Sequence, residues 1–198
     1  HFVGNIMIDS LFNNLEKAKT STIHQELSLE KGNYGVITLH RPSNVDDELA
    51  FSGIIGALEE IGKELQLVFP LHPRTANRAE EFGLYSRLEA IENIVLTGPI
   101  GYLDFIALTS NSRLVLTDSG GLQEETTVLN IPCITLRENT ERPITVTEGT
   151  NKIVGNDPAM IIAATKEALH SENVDSNIPD KWDGKTAQRI ADIIESME

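Results

Sequence analysis

Short runs of consecutive apolar residues recur along the chain, and each run is bounded by Gly, Pro or Asp. Runs of this length predict β-strands, and apolar residues at successive positions indicate strands that are buried on both faces. We predict six strands, at residues 34–40, 65–72, 93–98, 113–119, 132–138 and 151–155.

The segments that alternate with these strands carry apolar residues at spacings of three and four, which predicts amphipathic helices. Five such helices are predicted, at residues 46–63, 76–86, 102–111, 121–129 and 158–170, with two more at 6–19 and 186–196. This alternation predicts an α/β fold with a doubly wound parallel sheet and right-handed crossovers. No internal repeat or linker interrupts the pattern, so one domain over residues 1–198 is expected.

Composition narrows the class of protein further. The 198 residues are 40% hydrophobic and 23% charged, which is typical of a soluble folded domain. The formal net charge of −14 argues against nucleic-acid or anionic-membrane partners, which are bound by clustered Lys and Arg. No apolar run approaches the roughly 20 residues that cross a bilayer, and no signal-peptide pattern is present, so a cytoplasmic location is expected. The chain starts abruptly at His1, which suggests a fragment of a longer polypeptide.

Polar side chains follow four of the predicted strands where those strands end. His40 and Arg41 follow the first strand, His72 follows the second, and residues 118–121 and 137–142 follow the fourth and fifth. In an open parallel sheet, ligands bind beyond the carboxyl ends of the strands, where helix amino termini also point. The sequence therefore predicts a ligand site at this edge of the sheet.

The segment after the fourth strand is DSGGLQEE. A helix that begins there has unpaired backbone N–H groups, and Gly120 and Gly121 lack the Cβ atoms that would keep a phosphate away from them. Ser119 can add its hydroxyl. Glu125 lies one helical turn beyond Gly121 on the same face, where its carboxylate can accept hydrogen bonds from the paired hydroxyls of a sugar. This spacing is compatible with a nucleoside diphosphate.

Each motif also has a purely structural interpretation. Ser119 can cap the helix while Leu122, Thr126 and Leu129 form its buried stripe and the acids complement its dipole. The charged loop RENTERP can be solvated, or Arg142 can point into the same cleft.

The pair after the first strand is equally ambiguous. His40 offers an acid–base group and Arg41 a fixed positive charge, but both can also simply end a buried strand. Histidines are never paired at i, i+4, and the G-x-G-x-x-G and G-x-S-x-G motifs are absent. We therefore predict no metal ligands and no cofactor.

Five motifs, VGNIMIDSL, TLHRPSN, PLHPRT, LTDSGGLQEE and RENTERPITVTEGTNKIVG, resemble the carboxyl-terminal half of the non-hydrolysing UDP-N-acetylglucosamine 2-epimerase family, in the family's order and over nearly the whole chain. The resemblance implies a Rossmann-like second domain of a two-domain GT-B architecture that binds UDP. It also implies a missing amino-terminal domain and a homodimer formed largely through that domain.

The resemblance assigns roles to the motif residues. Ser119, Gly120 and Gly121 would hold the diphosphate, and Glu125 would hold the ribose hydroxyls. His40 would contact the nucleotide-sugar region and is the catalytic candidate.

Further residues receive roles on the same basis. Phe105 would lie by the uracil and Arg142 would help to close the pocket, whereas Ile100 stands where relatives commonly have a base-contacting glutamine. His72 and Arg41 are candidate contacts for a second, allosteric UDP-N-acetylglucosamine, although HRPSN departs from the HRRE of the regulated relatives.

The family eliminates UDP across sugar carbons 1 and 2 to give 2-acetamidoglucal, and then adds it back with the proton on the opposite face. This interconverts UDP-N-acetylglucosamine and UDP-N-acetylmannosamine for cell-surface polysaccharide biosynthesis and needs no cofactor. The acid–base carboxylates belong to the other domain, so this chain alone is expected to bind UDP weakly and not to epimerise. The alternatives are a hydrolysing or diacetamido-uronate 2-epimerase, a GT-B glycosyltransferase donor domain, and a non-catalytic nucleotide-sugar sensor; RENTERP favours the non-hydrolysing type.

Overall fold

The polypeptide is built on a six-stranded parallel sheet. The structure is a computed structural model that describes residues 1–171 and 176–197. Its strands are β1 (Tyr34–Thr38), β2 (Gln66–Pro70), β3 (Ile94–Thr97), β4 (Leu114–Thr117), β5 (Cys133–Thr135) and β6 (Asn151–Ile153). The strand order is β3-β2-β1-β4-β5-β6 with all neighbours parallel, which confirms the doubly wound sheet. Every strand ends one to three residues earlier than predicted.

The helices of the described residues cover both faces of the sheet. They are α1 (Ile6–Ala18), α2 (Ile23–Glu26), α3 (Pro42–Val45), α4 (Glu48–Ile61), α5 (Pro73–Glu81), α6 (Tyr85–Glu89), α7 (Tyr102–Ser110), α8 (Gly120–Leu129), α9 (Ile144–Thr147), α10 (Pro158–His170) and α11 (Thr186–Glu195). None of them has the length and apolar character that a bilayer crossing requires.

Two helix predictions need correction. The helix predicted at 46–63 starts two residues later, because the Asp47 side chain accepts a hydrogen bond of 2.8 Å from the Ala50 backbone N–H and caps α4 there. The helix predicted at 76–86 is two helices, α5 and α6. They are separated at Gly83, whose positive φ of 67° ends the first of them. The short helices α2, α3 and α9 were not predicted.

The core lies in two layers, one on each face of the sheet. Along β1, Ile37 packs with the helices α4, α6 and α10, whereas Val36 packs with α1, α7 and α8. Phe51 of α4 and Leu11 of α1 are both fully buried against these opposite faces. Burying a side chain of this size contributes about 1.5–3 kcal/mol. The prediction that the strands are buried on both faces is confirmed for β1, β2, β4 and β5. It is wrong for the two edge strands, because β3 is half-buried and β6 exposes Lys152.

The order of the strands reverses between β1 and β4, which pair at the centre of the sheet. Their last residues, Thr38 and Thr117, lie opposite each other, and their hydroxyl oxygens are 2.6 Å apart. After β1 the chain runs to the face covered by α4, and after β4 it runs to the face covered by α8. Diverging connections of this kind open a crevice beyond the carboxyl ends of the strands.

Candidate functional site

A cleft of about 400 Å³ opens at this switch point, between the ends of β1 and β2 and the helices α7 and α8. Six of the predicted site residues line it: His40, His72, Phe105, Ser119, Gly121 and Glu125. Ile100 also lines it, at the position where the resemblance expects a glutamine. Gly120, Arg41 and Arg142 are not among the lining residues.

The start of α8 forms one wall of the cleft. Ser119 is the residue that precedes this helix, but its side chain makes no capping hydrogen bond, so the interpretation of Ser119 as a side-chain cap is wrong. By contrast, α1 and α10 are capped by the side chains of Asn5 and Asp157. Leu122 and Thr126 are buried, as that same interpretation required. The first N–H groups of α8 therefore have no side-chain cap at the edge of the cleft.

The two glycines at this helix start are not required for packing. A Cβ atom on Gly121 would come no closer than 3.9 Å to another group, the Met7 side chain, and a Cβ on Gly120 would lie 3.8 Å from Glu141. Both distances are ordinary contacts. Gly121, which lines the cleft, places no Cβ between the cleft and the first N–H groups of α8, where the helix dipole is positive.

Glu125 lies deeper in the same wall and is nearly buried, with 7% of its surface exposed. Tyr102, at the start of α7, donates a hydrogen bond of 3.1 Å from its hydroxyl to Glu125 Oε1. Burial, with a smaller contribution from the charge of Glu124, raises the pKa of Glu125 above its ordinary value, although the Tyr102 hydrogen bond opposes this rise. Burial and the neighbouring Glu125 raise the pKa of Tyr102 to about 12, so the phenol remains a donor. Tyr102 was not predicted as a site residue, although it lies one helical turn before Phe105.

Asp118 was also missed, and it contacts the catalytic candidate. It is fully buried directly after β4, and its Oδ1 lies 2.9 Å from His40 Nδ1. The backbone N–H groups of His40 and Arg41 and the side-chain amide of Asn44 all donate to its other oxygen. Burial raises the pKa of Asp118, but these contacts with His40 and Arg41 outweigh it and hold the pKa below its ordinary value. The carboxylate is therefore ionised.

The two histidines of the site lie next to each other. The ring centroids of His40 and His72 are 5.6 Å apart. His72 caps α5, because its Nδ1 accepts a hydrogen bond of 3.1 Å from the Arg74 backbone N–H. Arg41 directs its backbone N–H to Asp118, and its Nε is buried without a hydrogen-bond partner.

Arg142 lies outside the cleft lining and forms an ion pair with Glu124, whose Oε1 is 2.8 Å from Arg142 Nε. Glu124 is buried, and burial raises its pKa although Arg142 opposes the rise. Within the RENTERP loop, Arg137 also binds both carboxylate oxygens of Glu141 at 2.8 Å. The loop is largely exposed, as the solvated interpretation indicated, but its Arg137 and Arg142 side chains are held in ion pairs. The predicted contact between Arg142 and a ligand stays a prediction.

No group of three or more His, Cys, Asp or Glu side chains among the described residues is arranged to hold a metal ion. The chemical character of the cleft is thus a positive helix end, an acidic acceptor, two imidazoles and apolar walls.

The strand order and the cleft at its switch point define a Rossmann-like α/β domain. Within that class, the chain belongs to the UDP-N-acetylglucosamine 2-epimerase family, whose model matches residues 1–195.

Individual relatives agree with this assignment. A UDP-N-acetylglucosamine 2-epimerase from Methanococcus maripaludis is 40% identical over 98% of this chain and 54% of its own length. A UDP-2,3-diacetamido-2,3-dideoxy-D-glucuronate 2-epimerase from Pseudomonas aeruginosa is 36% identical over 98% of this chain and 52% of its own length.

A solved structure shows the same fold. The Methanocaldococcus jannaschii UDP-GlcNAc 2-epimerase in complex with UDP-GlcNAc and UDP superimposes with a TM-score of 0.85 and 36% identity, covering 99% of this chain and 54% of that one. The present chain therefore spans about half the length of the relatives it matches.

Proposed function

We propose that this chain is the UDP-binding half of a UDP-N-acetylglucosamine 2-epimerase with a GT-B architecture. The observation that carries the proposal is the single cleft that brings Ser119, Gly121, Glu125 and Phe105 together at the switch point of the sheet. Family membership and the UDP-GlcNAc and UDP bound to a relative of the same fold support it.

In this proposal the diphosphate of UDP lies against the first N–H groups of α8. The chain carries a net charge of −14, so a dianionic ligand needs a local source of positive potential. The helix end supplies that potential without a lysine, and Gly120 and Gly121 allow close approach. The Ser119 hydroxyl, which makes no bond to the helix, is available as a further donor.

The positions of the ribose and the uracil follow from this position of the diphosphate. Glu125 accepts hydrogen bonds from the ribose hydroxyls, and Tyr102 holds one of its oxygens in place. Phe105 and Ile100 line the cleft beside it and offer an apolar surface for uracil. The sugar then extends past His40 towards the part of the relatives that this chain does not cover.

The chemistry proposed for the complete protein is elimination of UDP through 2-acetamidoglucal and its re-addition to give UDP-N-acetylmannosamine. Donors aimed at the departing diphosphate stabilise the negative charge that develops on it. Retained UDP keeps the return step effectively intramolecular. We further propose a cytoplasmic homodimer that supplies activated sugar for cell-surface polysaccharide. In the same proposal, His72 and Arg41 contact a second nucleotide sugar.

The relative that acts on a diacetamido-glucuronate defines the nearest rival. A uronate substrate carries an additional carboxylate, which proteins usually bind with Arg or Lys. Among the described residues, neither Arg nor Lys lines the cleft. Because the proposed sugar extends beyond this lining, the choice between the two substrates rests on RENTERP, which favours the non-hydrolysing N-acetylglucosamine type.

Titration calorimetry with UDP, uridine and ADP tests the binding half of the proposal. UDP is expected to bind, uridine to bind at least about tenfold more weakly because it lacks the diphosphate, and ADP to bind more weakly because the base differs. Equal affinity for UDP and uridine would contradict the placement of the diphosphate on α8. When this chain alone is incubated with UDP-N-acetylglucosamine, we expect no UDP-N-acetylmannosamine. Formation of that product would contradict the proposal that epimerisation requires the amino-terminal domain.

A further inference from the structure

The two carboxylate oxygens of Asp118 have different surroundings. Oδ2 accepts three hydrogen bonds, from the backbone N–H groups of His40 (2.9 Å) and Arg41 (2.8 Å) and from Asn44 Nδ2 (3.2 Å). Oδ1 lies 2.9 Å from His40 Nδ1 and has no hydrogen bond of good geometry to any group in the described part of the chain. The contact with Nδ1 is therefore short but not well aligned, as is common for active-site hydrogen bonds before a ligand binds.

A fully buried carboxylate oxygen needs a donor, and His40 Nδ1 is at the right distance to supply one. We propose that Asp118 is a positioning residue that holds His40 as the tautomer protonated on Nδ1, so that Nε2 presents a lone pair to the cleft. The His40 ring lines the cleft and its side chain is 35% exposed, while the Asp118 side chain is fully buried. Because Nε2 lies on the other side of the ring from Nδ1, it points away from the buried carboxylate.

This inference rests on the proposed function for its chemical meaning. A lone pair on Nε2 can accept a proton from a reacting group in the cleft and can later return that proton to a departing phosphate oxygen. While the proton is on Nε2, the Asp118 carboxylate stabilises the imidazolium, as a buried aspartate does for a catalytic histidine in other enzymes. If the neutral His40 ring instead carried its proton on Nε2, that nitrogen could donate a proton to a group in the cleft but could not accept one.

His72 provides an internal comparison in the same cleft. Its Nδ1 accepts the hydrogen bond from the Arg74 backbone N–H at 3.1 Å, so the neutral ring carries its proton on Nε2. The structure thus assigns opposite tautomers to two histidines whose rings are 5.6 Å apart. A measurement that distinguishes tautomers must find both forms in one sample.

The substitution Asp118→Asn should invert the tautomer of His40. The three donors around Oδ2 select an oxygen at that position, so the asparagine carbonyl must lie there and its NH₂ group must face His40 Nδ1. An imidazole nitrogen that faces an NH₂ group accepts a hydrogen bond, and the ring proton then moves to Nε2. The change keeps the shape of the side chain and all three hydrogen bonds to Oδ2.

The test is long-range ¹H–¹⁵N correlation NMR of the histidine-labelled chain, with the pH raised until the ring signals stop shifting and the neutral forms are observed. The His40 signals are identified by their loss in His40→Gln. In the unsubstituted chain we expect His40 protonated on Nδ1 and His72 protonated on Nε2. In Asp118→Asn we expect His40 protonated on Nε2 and His72 unchanged.

His40 protonated on Nε2 in the unsubstituted chain would overturn the proposal. So would an unchanged His40 tautomer in an Asp118→Asn chain whose other amide signals show the native fold. If that variant does not fold, the spectra of the unsubstituted chain decide the question alone. The measurement uses no nucleotide, so its outcome is distinguishable from a failure of UDP to bind.

Discussion

The Tyr102 hydroxyl donates a hydrogen bond of 3.1 Å to Glu125 Oε1 and thereby joins the first turn of α7 to the second turn of α8 across the cleft. The carboxylate is nearly buried, so its position is held by this bond and not by contacts with bulk water. In the proposed function, this pair is the part of the site that recognises the ribose.

We expect Glu125→Gln to weaken UDP binding by about tenfold or more, because a hydrogen bond to a charged group contributes about 1.5–3 kcal/mol. The neutral amide keeps the volume of the side chain, so the melting temperature should change little. Calorimetry with UDP measures the first effect and thermal unfolding the second. Unchanged affinity would remove Glu125 from the ribose site.

Tyr102→Phe tests the support of the carboxylate separately. The substitution leaves Glu125 in place and removes the donor that opposes the rise of its pKa. We expect a smaller loss of UDP affinity than for Glu125→Gln, and a loss that grows as the pH is lowered, because the carboxyl is then protonated at a higher pH. An affinity loss that does not depend on pH would argue against this coupling.

Gly121→Ala separates binding from folding. The new Cβ atom would meet only the flexible Met7 side chain at 3.9 Å, so stability should be retained. The same methyl group would stand between a diphosphate and the first N–H groups of α8, and we expect UDP affinity to fall by about tenfold or more. Gly98→Ala is the matched control, because a Cβ there has no neighbour within 4 Å and Gly98 does not line the cleft. Equal affinity of both variants would contradict the role of Gly121.

Arg142→Ala leaves the buried Glu124 without its cation. We expect destabilisation of about 1–3 kcal/mol at pH 8, below the cost of breaking a fully buried pair because Arg142 is partly exposed. Without Arg142 the pKa of Glu124 rises further above its unfolded value, so the folded state binds more protons and loses stability as the pH increases. The cost measured by urea unfolding should therefore be smaller at pH 5 than at pH 8.

Glu124→Gln supplies the control for that measurement. In a chain that already carries Glu124→Gln, removal of Arg142 no longer strands a buried charge and should cost much less. A double-mutant cycle in which Arg142→Ala costs the same in both backgrounds would mean that the ion pair does not stabilise the loop.

Asp46 contributes an acid-sensitive part of the stability. Hydrogen bonds from Arg74, and also from Arg78, lower its pKa from 3.8 to about 2. Because the folded pKa lies below the unfolded one, the stabilisation is present above about pH 4 and is lost as the pH falls through the folded value. At pH 7 the melting temperature of Asp46→Asn should lie below that of the unsubstituted chain. Plotted against pH, the two melting temperatures should converge near pH 2. High salt should reduce this difference in melting temperature at pH 7, since the ion pairs of Asp46 are solvent-accessible. A difference that stays constant with pH would contradict the assignment.

The architecture was predictable because buried parallel strands leave uninterrupted apolar runs in the sequence, as in β1, β2 and β4. The glycine-rich start of α8 was predictable because residues 118–125 are contiguous, so that helical geometry alone relates Gly121 to Glu125. The break at Gly83 was not predicted, because the apolar spacing of residues 76–86 is helical on both sides of it.

Contacts between distant segments could not be predicted from periodicity. The pairing of His40 with Asp118 depends on β1 and β4 being neighbours in the sheet, and only the topology shows this. The RENTERP loop is largely exposed, as its charges indicated. The ion pair between Arg142 and Glu124 was not predicted, because helical spacing did not identify Glu124 as buried. Tyr102 was hidden for a similar reason, since its partner Glu125 lies 23 residues away.

Pairing between β1 and β4 also has a consequence for folding while the protein is being translated. His40 and Asp118 are separated by 78 residues, so a nascent chain contains β1, β2 and β3 well before it contains α8. Until the ribosome has released that later segment, the growing polypeptide has half of a crevice and no place for a nucleotide. Ligands of this site can therefore assist only the stages of folding that follow the synthesis of α8.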